Sequence, residues 1–337
     1  MQAHTKAPRR RVLLLATGGT IAGAGPAAAG TGSAAYDSAV VPVQQLLAQV
    51  PGLDALAHVA AEQLLQIDSV DFIDALLLQL ARRVAGACRQ SEVDGVVVLH
   101  GTDTLQETAF FLHLTLPTDK PVVLTGAMRA GTALSADGPA NVADAVALAA
   151  HPDSAGRGVL VTLGGEIFSG RDVAKTRAQG PAAFSSPHGS LGWMADGAPR
   201  WYRRVDRPHT LHSEFNIETM DALPLVGVVT SHGNMRTEVF DAWVAAGARA
   251  IVFAAFGGGT VPSYLLPELA DVSARGVVLV RASRTGCGLV LRNATADDAH
   301  GWVAAADHGP TQARLLAALA LTRSADPLHV QAVFDRY

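Results

Sequence analysis

The chain places a threonine hydroxyl on a glycine turn directly after a short apolar run, and such a hydroxyl can act as a nucleophile. The apolar run is residues 12–16, the glycine pair is Gly18-Gly19, and the threonine is Thr20. A run of this length is typical of a buried parallel strand, and paired glycines permit backbone turns that side chains forbid. We therefore expect Thr20 to be presented at a strand end rather than packed in the core.

A second segment repeats this pattern and adds a carboxylate. Residues 95–99 also read as a buried strand, a glycine ends it, and Thr102 and Asp103 follow. Asp103 and Thr104 are suited to cap a helix over residues 105–114. Because ligands bind at the carboxyl ends of the strands in open parallel sheets, we expect the two threonines and Asp103 to converge on a small molecule.

Strands alternate with helical stretches along the chain, which predicts a doubly wound α/β fold with a mainly parallel sheet. We expect a larger N-terminal catalytic domain at residues 1–203, a linker at 204–224 where the alternation lapses, and a smaller C-terminal α/β domain at 225–337. The further predicted strands are residues 61–67, 93–99, 121–125, 158–163, 225–231, 250–255 and 277–281. The further predicted helices are residues 71–88, capped by Ser69 or Asp71, then 140–150, 237–246, 263–274 and two that start at Thr311 and Pro327.

Composition narrows the class of protein. With 337 residues, 49% of them hydrophobic, the chain can bury a large core. A net charge of −4 disfavours nucleic-acid binding, and no apolar span is long enough to cross a membrane. Arginines 9–11 precede an apolar run too short for a signal peptide, so we expect a cytoplasmic protein. Cys88 and Cys287 are expected to be free thiols rather than a disulfide.

Two strings, Ala16-Thr-Gly-Gly-Thr-Ile-Ala-Gly23 and His100-Gly-Thr-Asp-Thr104, together resemble the bacterial L-asparaginase/glutaminase family. Residues 120–129, 135–141, 170–176 and 278–284 resemble further family segments in the expected order, so the resemblance covers nearly the whole chain. It implies an amidohydrolase that converts L-asparagine to L-aspartate and ammonia through a threonine nucleophile, with low glutaminase activity.

The resemblance assigns roles to the polar residues. Thr20 attacks the amide, assisted by Tyr36, which follows an Ala/Gly-rich stretch that its composition predicts to be mobile. Thr102, Asp103 and Lys175 form a second polar triad that activates a threonine or a water. Which threonine forms an acyl-enzyme is left open.

Substrate binding is assigned by the same resemblance to Gly19, Ser69, Val70, Asp103 and Ala127. Ser69 matches the serine that holds the substrate α-carboxylate, and Asp103 matches the acid that holds the α-ammonium. Val70 stands where the family commonly has glutamine, and valine cannot form that hydrogen bond.

The resemblance also implies that a neighbouring subunit completes the site through Asn234, in a homo-oligomer arranged as a dimer of dimers. At the position of the family's glutamate the chain has Thr295. Losing one of two carboxylates costs about 1–3 kcal/mol, or roughly ten- to hundredfold in affinity. One interpretation is a weaker asparaginase that works at high substrate concentration. Three alternatives stay open: a nearby acid takes over, the preferred small amide lacks a conventional α-amino group or carries it elsewhere, or the protein is a non-catalytic sensor.

Two other kinds of site are weakly indicated. Residues 23–28 and 257–260 resemble glycine-rich phosphate loops, but no convincing helix follows the first as a dinucleotide site requires. His209 and His212 have a spacing that metal ligands use, but they lack a helical context and lie beside Pro208. We therefore expect neither a bound cofactor nor a metal.

Overall fold

The structure, a computed structural model, describes residues 9–25, 36–295 and 297–337. The chain divides into two compact units between Thr219 and Met220. This division lies inside the interval 204–224 that the sequence assigned to a linker, whereas the predicted domain limits themselves stay a prediction. Most of the Ala/Gly-rich stretch expected to be mobile, residues 26–35, lies outside the described residues.

The first unit is built on a sheet whose eight described strands follow the order β10-β9-β6-β5-β4-β3-β1-β2. The strands from β5 to β2 in this order are parallel, and β6, β9 and β10 continue the sheet antiparallel. Their bounds are β1 Arg11–Gly18, β2 His58–Ile67, β3 Gly95–Leu99, β4 Val122–Thr125, β5 Val159–Leu163, β6 Glu166–Ser169, β9 Gly192–Ala195 and β10 Ala198–Trp201. A separate hairpin pairs β7 Ala174–Lys175 with β8 Phe184–Ser185. The helices are α1 Val43–Ala48, α2 Leu53–Leu56, α3 Asp74–Arg89, α4 Leu105–Thr115 and α5 Gly138–Ala150.

The chain order of the parallel strands creates a crevice at one place in this sheet. From β1 the chain passes to β2 on one side, whereas β3 lies on the other side of β1. The connections that leave the carboxyl ends of β1 and β3 therefore run to strands on opposite sides, and ligands of doubly wound proteins bind at such a switch point. Thr20 follows β1 and Thr102 follows β3, so the two threonine turns flank this crevice.

The second unit is a smaller α/β unit with a parallel four-stranded sheet in the order β11-β12-β13-β14. Its strands are β11 Val226–Thr230, β12 Ala250–Ala255, β13 Val278–Ser283 and β14 Val303–Ala304. Its helices are α6 Glu238–Ala245, α7 Leu266–Ala274, α8 Asp297–His300, α9 Pro310–Leu321 and α10 Pro327–Arg336. The predicted α/β class, with a larger N-terminal sheet and a smaller C-terminal unit, is confirmed.

The predicted cap of α3 is wrong, and the predicted cap of α4 is right in position but makes no capping bond. Helix α3 begins at Asp74, and Ser69 and Asp71 belong instead to a short 3-10 turn capped by Asp68. Thr104 does occupy the N-cap position of α4, but no side-chain hydrogen bond caps that helix. The Thr104 hydroxyl instead donates to the Ser69 carbonyl at 2.9 Å. Tertiary contacts at the site have therefore replaced the local capping bonds that the sequence favours.

The two cysteines, the lengths of the helices and the histidines can now be described. Cys88 is a buried free thiol and Cys287 an exposed one. Among the helices of the described ranges, none combines the length and the apolar character needed to cross a bilayer. Nor do those ranges group three or more side chains that could hold a metal ion. His209 is buried, and its ring packs 4.9 Å from the ring of His113.

Candidate active site

Glycines bring three loops of the first unit into contact at the carboxyl edge of its sheet. Gly19 has a φ of 79°, and a Cβ there would overlap the Gly101 backbone. A Cβ on Gly101 would lie 2.5 Å from Ser69 Oγ. Because real Cβ atoms do not approach other atoms so closely, only glycines allow these turns to meet. The loops after β1, β2 and β3, which carry Thr20, Ser69 and Thr102, are thus packed together.

Thr20 and Tyr36 form a hydroxyl pair. Thr20 Oγ1 lies 2.7 Å from the Tyr36 hydroxyl oxygen, and both residues are partly buried. The Tyr36 ring packs on Gly23, where a Cβ would be 2.7 Å from Cδ2 of the ring. An isolated antiparallel bridge between Ala24 and Asp37 fixes the backbone beside Tyr36. This geometry allows a proton to pass from the Thr20 hydroxyl to the tyrosine oxygen.

Lys175 joins Thr102 and Asp103 in a second polar group. Its Nζ donates to Thr102 Oγ1 at 2.9 Å and to Asp103 Oδ1 at 2.7 Å. The Lys175 backbone N–H donates to Gln106 Oε1 at 2.7 Å, which ties the short strand β7 to helix α4. The Lys175 side chain is only 17% exposed, whereas that of Asp103 is 52% exposed. The amine is therefore sheltered beside a hydroxyl, and the carboxylate remains open to a ligand.

Ser69 is held in place from both sides. Its hydroxyl oxygen accepts from the Asp103 backbone N–H at 3.2 Å, and Asp68 caps the 3-10 turn that contains it. Ser69 is buried, while the neighbouring Val70 is 66% exposed. Thus the serine is fixed by backbone contacts, and the side chain at position 70 has room to change.

Ala127 follows β4 at the same edge of the sheet. Its methyl group is buried in the core, so its backbone is the part left to contact a ligand. Asn141 Nδ2 donates to the Gly126 carbonyl at 2.9 Å, and the Met128 N–H donates to Asp137 at 3.0 Å. The supporting side chains of Asn141 and Asp137 were not predicted, although both residues lie in the segment 135–141 that carried the family resemblance.

His100 precedes the second threonine turn and is a structural residue. It is completely buried, with Nδ1 2.8 Å from the Gly101 carbonyl and Nε2 3.1 Å from Thr108 Oγ1. A carbonyl accepts only, so Nδ1 carries the proton and Nε2 accepts from the threonine. Burial lowers the pKa of His100 to about 4, and its imidazole is therefore neutral near pH 7. With both ring nitrogens engaged, His100 is not available as a base.

Two positions that the sequence analysis placed near the substrate, Asn234 and Thr295, belong to the second unit. Asn234 is exposed, follows β11 and has a left-handed backbone with φ of 56°. Near Thr295, the carboxylate of Asp297 is buried against Arg281 at 2.5 Å, and Asp298 pairs with Arg292 at 2.6 Å. These adjacent acids already have basic partners, which argues against the idea that one of them replaces the missing glutamate.

Within the first unit the structure therefore joins Thr20 to Tyr36, and Lys175 to Thr102 and Asp103. Ser69 touches the second group through the Asp103 backbone. The Gly19 N–H donates to the Ile67 carbonyl at 3.0 Å, so Gly19 contributes close packing rather than a free donor. The catalytic and binding roles assigned to these residues stay predictions.

Comparisons with known proteins give a consistent result. Residues 11–207 match the family model described as asparaginase, N-terminal, and residues 225–334 match the glutaminase/asparaginase C-terminal domain. The chain is 46% identical to a glutaminase-asparaginase of Pseudomonas fluorescens biotype A, covering 100% of this chain and 93% of that protein. It is 40% identical to a probable periplasmic L-asparaginase of Haemophilus influenzae, covering 97% and 93%.

A solved structure agrees over the same length. The crystal structure of a probable cytoplasmic L-asparaginase from Campylobacter jejuni matches with a TM-score of 0.93 and 37% identity, covering 98% of this chain and 100% of that one. Both family models and these relatives together span nearly all of the sequence. The chain belongs to the asparaginase family.

Proposed function

We propose that this protein hydrolyses the side-chain amide of L-asparagine to L-aspartate and ammonia. The observation that carries the proposal is the pairing of Thr20 with Tyr36, at 2.7 Å, at the sheet edge that also bears Thr102, Asp103 and Lys175. A binding protein has no need of a sheltered amine beside one hydroxyl and a tyrosine beside another. The family relatives named for asparaginase activity support the same reaction.

The first half of the reaction forms an acyl-enzyme. Thr20 Oγ1 attacks the amide carbon, its proton passes to the Tyr36 oxygen, and the hydroxyl proton of Tyr36 passes on to the amide nitrogen, which gives a tetrahedral intermediate. The oxyanion then re-forms the carbonyl as the C–N bond breaks, and the nitrogen, which carries the relayed proton, departs as ammonia. In this scheme Tyr36 is the group that moves the proton, because it is the hydroxyl in contact with Thr20.

The second half consumes water. Thr102 and Lys175 orient or deprotonate a water molecule, which attacks the ester carbon and releases L-aspartate and free Thr20. In this scheme the proton taken from the water passes through the Thr102 hydroxyl to Lys175, across the 2.9 Å contact between Oγ1 and Nζ, and it is returned to Thr20 Oγ1 as the ester bond breaks. The scheme uses no cofactor and no metal at any step.

Substrate recognition rests on a reduced set of contacts. Ser69 binds the α-carboxylate, and the half-exposed carboxylate of Asp103 binds the α-ammonium. Val70 adds no hydrogen bond, and Thr295 offers no charge. We expect weak binding of amino-acid amides, and we also expect L-glutamine to be a poorer substrate than L-asparagine. Because relatives are named glutaminase-asparaginase, L-glutamine belongs in every assay.

Replacing Val70 with Gln should restore one substrate contact. Val70 is largely exposed, so the change costs little stability. One added hydrogen bond of about 1 kcal/mol predicts a KM for L-asparagine roughly fivefold lower at an unchanged kcat. Steady-state kinetics on the wild type, Val70→Gln and the isosteric Val70→Thr give the comparison. An unchanged KM for Val70→Gln would show that this side chain does not reach the substrate.

We propose further that the protein works as a homo-oligomer, a dimer of dimers in which Asn234 of one subunit completes the site of another. It binds a small amide and neither nucleic acid nor membrane.

A cytoplasmic location is proposed from the Campylobacter relative, whereas the Haemophilus relative is described as periplasmic. Light scattering of the purified protein and fractionation of the source cells test these two points.

The reaction itself is tested by product analysis. Incubation with L-asparagine should yield ammonia and L-aspartate in equal amounts. A protein that releases neither product, although it is folded and oligomeric, would contradict the proposed function.

A further inference from the structure

The segment that carries Tyr36 and the loop that carries Ser69 are connected by one side-chain hydrogen bond. Ser38, two residues after Tyr36, donates from Oγ to Asp68 Oδ2 at 2.6 Å. Asp68 is also the residue directly before Ser69. The bond thus joins the chain beside the tyrosine to the chain beside the serine. Neither Ser38 nor Asp68 has a role in the proposed reaction.

Asp68 uses its other oxygen within its own loop. Oδ1 accepts from the Val70 N–H at 3.4 Å, and this bond caps the 3-10 turn Ser69–Asp71. A carboxylate is suited to serve both partners because it offers two acceptor oxygens. Hydrogen bonds to a charged acceptor are also stronger than those between neutral groups. Asp68 therefore shapes the turn that presents Ser69 while it holds Ser38.

The backbone next to Ser38 is hydrogen-bonded to the turn that carries Thr20. The next residue, Ala39, has a left-handed backbone with φ of 56°, and its N–H donates to the Gly19 carbonyl at 3.1 Å. A residue with a side chain adopts this conformation only where its surroundings impose it. On the other side of Ser38, the bridge between Asp37 and Ala24 fixes the backbone next to Tyr36.

These contacts form a continuous connection between the two catalytic groups. It begins at the Thr20–Tyr36 pair and passes through Ser38 to Asp68 and Ser69. From Ser69 it continues through the Asp103 backbone N–H to the group that contains Lys175. The backbone of Gly19 also links the two segments, because its carbonyl accepts from the Ala39 N–H and its N–H donates to the Ile67 carbonyl, but the Ser38–Asp68 bond joins them next to Tyr36 and Ser69 themselves.

We propose that Asp68 is a positioning residue that couples the placement of Tyr36 to that of Ser69, and that Ser38 is its partner on the tyrosine side. This inference rests on the proposed function, since it assigns proton transfer to Tyr36 and carboxylate binding to Ser69. Ser38 acts on turnover through Tyr36, whereas Asp68 acts on turnover and also on substrate affinity through Ser69.

The test is a set of double-mutant cycles with L-asparagine as substrate. Ser38→Ala should lower kcat about tenfold and leave KM nearly unchanged, because it loses one hydrogen bond to a charged group on the tyrosine side. In a Tyr36→Phe background the same change should have almost no further effect on kcat, since Ser38 acts through the missing hydroxyl. Ser38→Thr, which keeps a hydroxyl, should restore most of the activity.

Asp68→Ala should lower kcat by a similar factor and also raise KM, because the turn that presents Ser69 loses its cap. Adding Ser38→Ala to Asp68→Ala should then change kcat no further. Effects of Ser38→Ala and Tyr36→Phe that multiply fully would overturn the coupling, and so would an Asp68→Ala variant with unaltered KM. Ser324→Ala is the control: it removes a serine hydroxyl in the second unit that accepts from the Asp326 N–H, and it should match the wild type.

Hydrogen exchange tests the coupling between the Tyr36 segment and the Ser69 loop, and it needs no substrate. In Asp68→Ala the amide hydrogens of residues 39–41 and 70–72 should both exchange faster than in the wild type. Faster exchange confined to residues 70–72 would contradict the coupling, whatever the enzyme's activity. A wild-type protein with no activity toward L-asparagine would instead contradict the proposed function, and the exchange result would still stand.

Discussion

Thr20→Ala should reduce ammonia release from L-asparagine by about a thousandfold or more while the protein stays folded. The substitution removes the attacking oxygen, and the Tyr36 hydroxyl beside it serves in proton transfer in the proposed scheme. The stability loss should be near 1 kcal/mol, because Thr20 is partly exposed and its side chain gives up one hydrogen bond, to Tyr36. Initial rates and denaturant unfolding on the same preparations measure both effects.

Thr115→Ala is a matched control for this variant. Thr115 is buried at the end of α4, and its hydroxyl donates to the Phe111 carbonyl at 2.7 Å. Its removal should lower stability by about 1 kcal/mol but leave kcat within about twofold. If Thr20→Ala retained wild-type turnover, Thr20 would not be the nucleophile, and the assignment would pass to the Thr102 group.

The second large effect is expected for Lys175→Met. This change keeps most of the aliphatic length of the side chain but removes the amine that contacts Thr102 and Asp103. Loss of a group that transfers protons typically costs about 100- to 10,000-fold in rate, so kcat should fall within that range. KM should change less, since Lys175 does not hold the substrate in the proposed scheme. Stability should be little affected, because water can reach the exposed carboxylate of Asp103.

Lys120→Met separates this chemical effect from the loss of a lysine as such. The Lys120 amine donates to the carbonyls of Gln90 and Val93, both at 2.7 Å, and takes no part in the candidate site. The control should therefore unfold more easily and keep its kcat. A Lys175→Met enzyme with near-normal kcat and lowered stability would behave like this control, and Lys175 would then be purely structural.

Much of the site could be predicted because local sequence determines it. Apolar runs identify β1 and β3, and the glycines after them mark turns, so the placement of Thr20 and Thr102 at strand ends follows from the chain itself. Lys175 and Tyr36 are different, since no local pattern marks them as functional. They were found through the resemblance of their surrounding segments to a family, and the contacts with the threonines appear only in the folded chain.

The wrong predictions share a physical cause. Ser69 or Asp71 was expected to cap α3, and Thr104, which does stand at the N-cap of α4, was expected to bond to its own helix, because such side chains bond readily to nearby backbone N–H groups. In the structure the carbonyl of Ser69 accepts from Thr104 and its hydroxyl from the Asp103 N–H, a partner 34 residues away in the chain. Such distant partners cannot be read from spacing. The Ser38–Asp68 bond likewise joins residues 30 positions apart and had no signal in the sequence.

The short strands of the first unit were missed for another reason. β7 and β8 have only two residues each, too few for a hydrophobic period to appear. The four-residue strands β6, β9 and β10 contain polar, glycine or proline residues and lack the apolar run Val122-Val-Leu124 that identified the equally short β4. β7 matters most among them because it carries Lys175. Its position depends on pairing with β8 and on Gln106, rather than on its own residues.

The central claim is that this site hydrolyses L-asparagine despite valine at position 70 and threonine at position 295. The most direct measurement compares kcat/KM for L-asparagine with that for succinamic acid, which has the same amide and carboxylate but no α-amino group. L-Glutamine, D-asparagine and β-alaninamide are run beside them at micromolar and millimolar concentrations. We expect a clear preference for L-asparagine, since Asp103 still offers a carboxylate to the ammonium. A preference for succinamic acid, with L-asparagine a poor substrate, would contradict it.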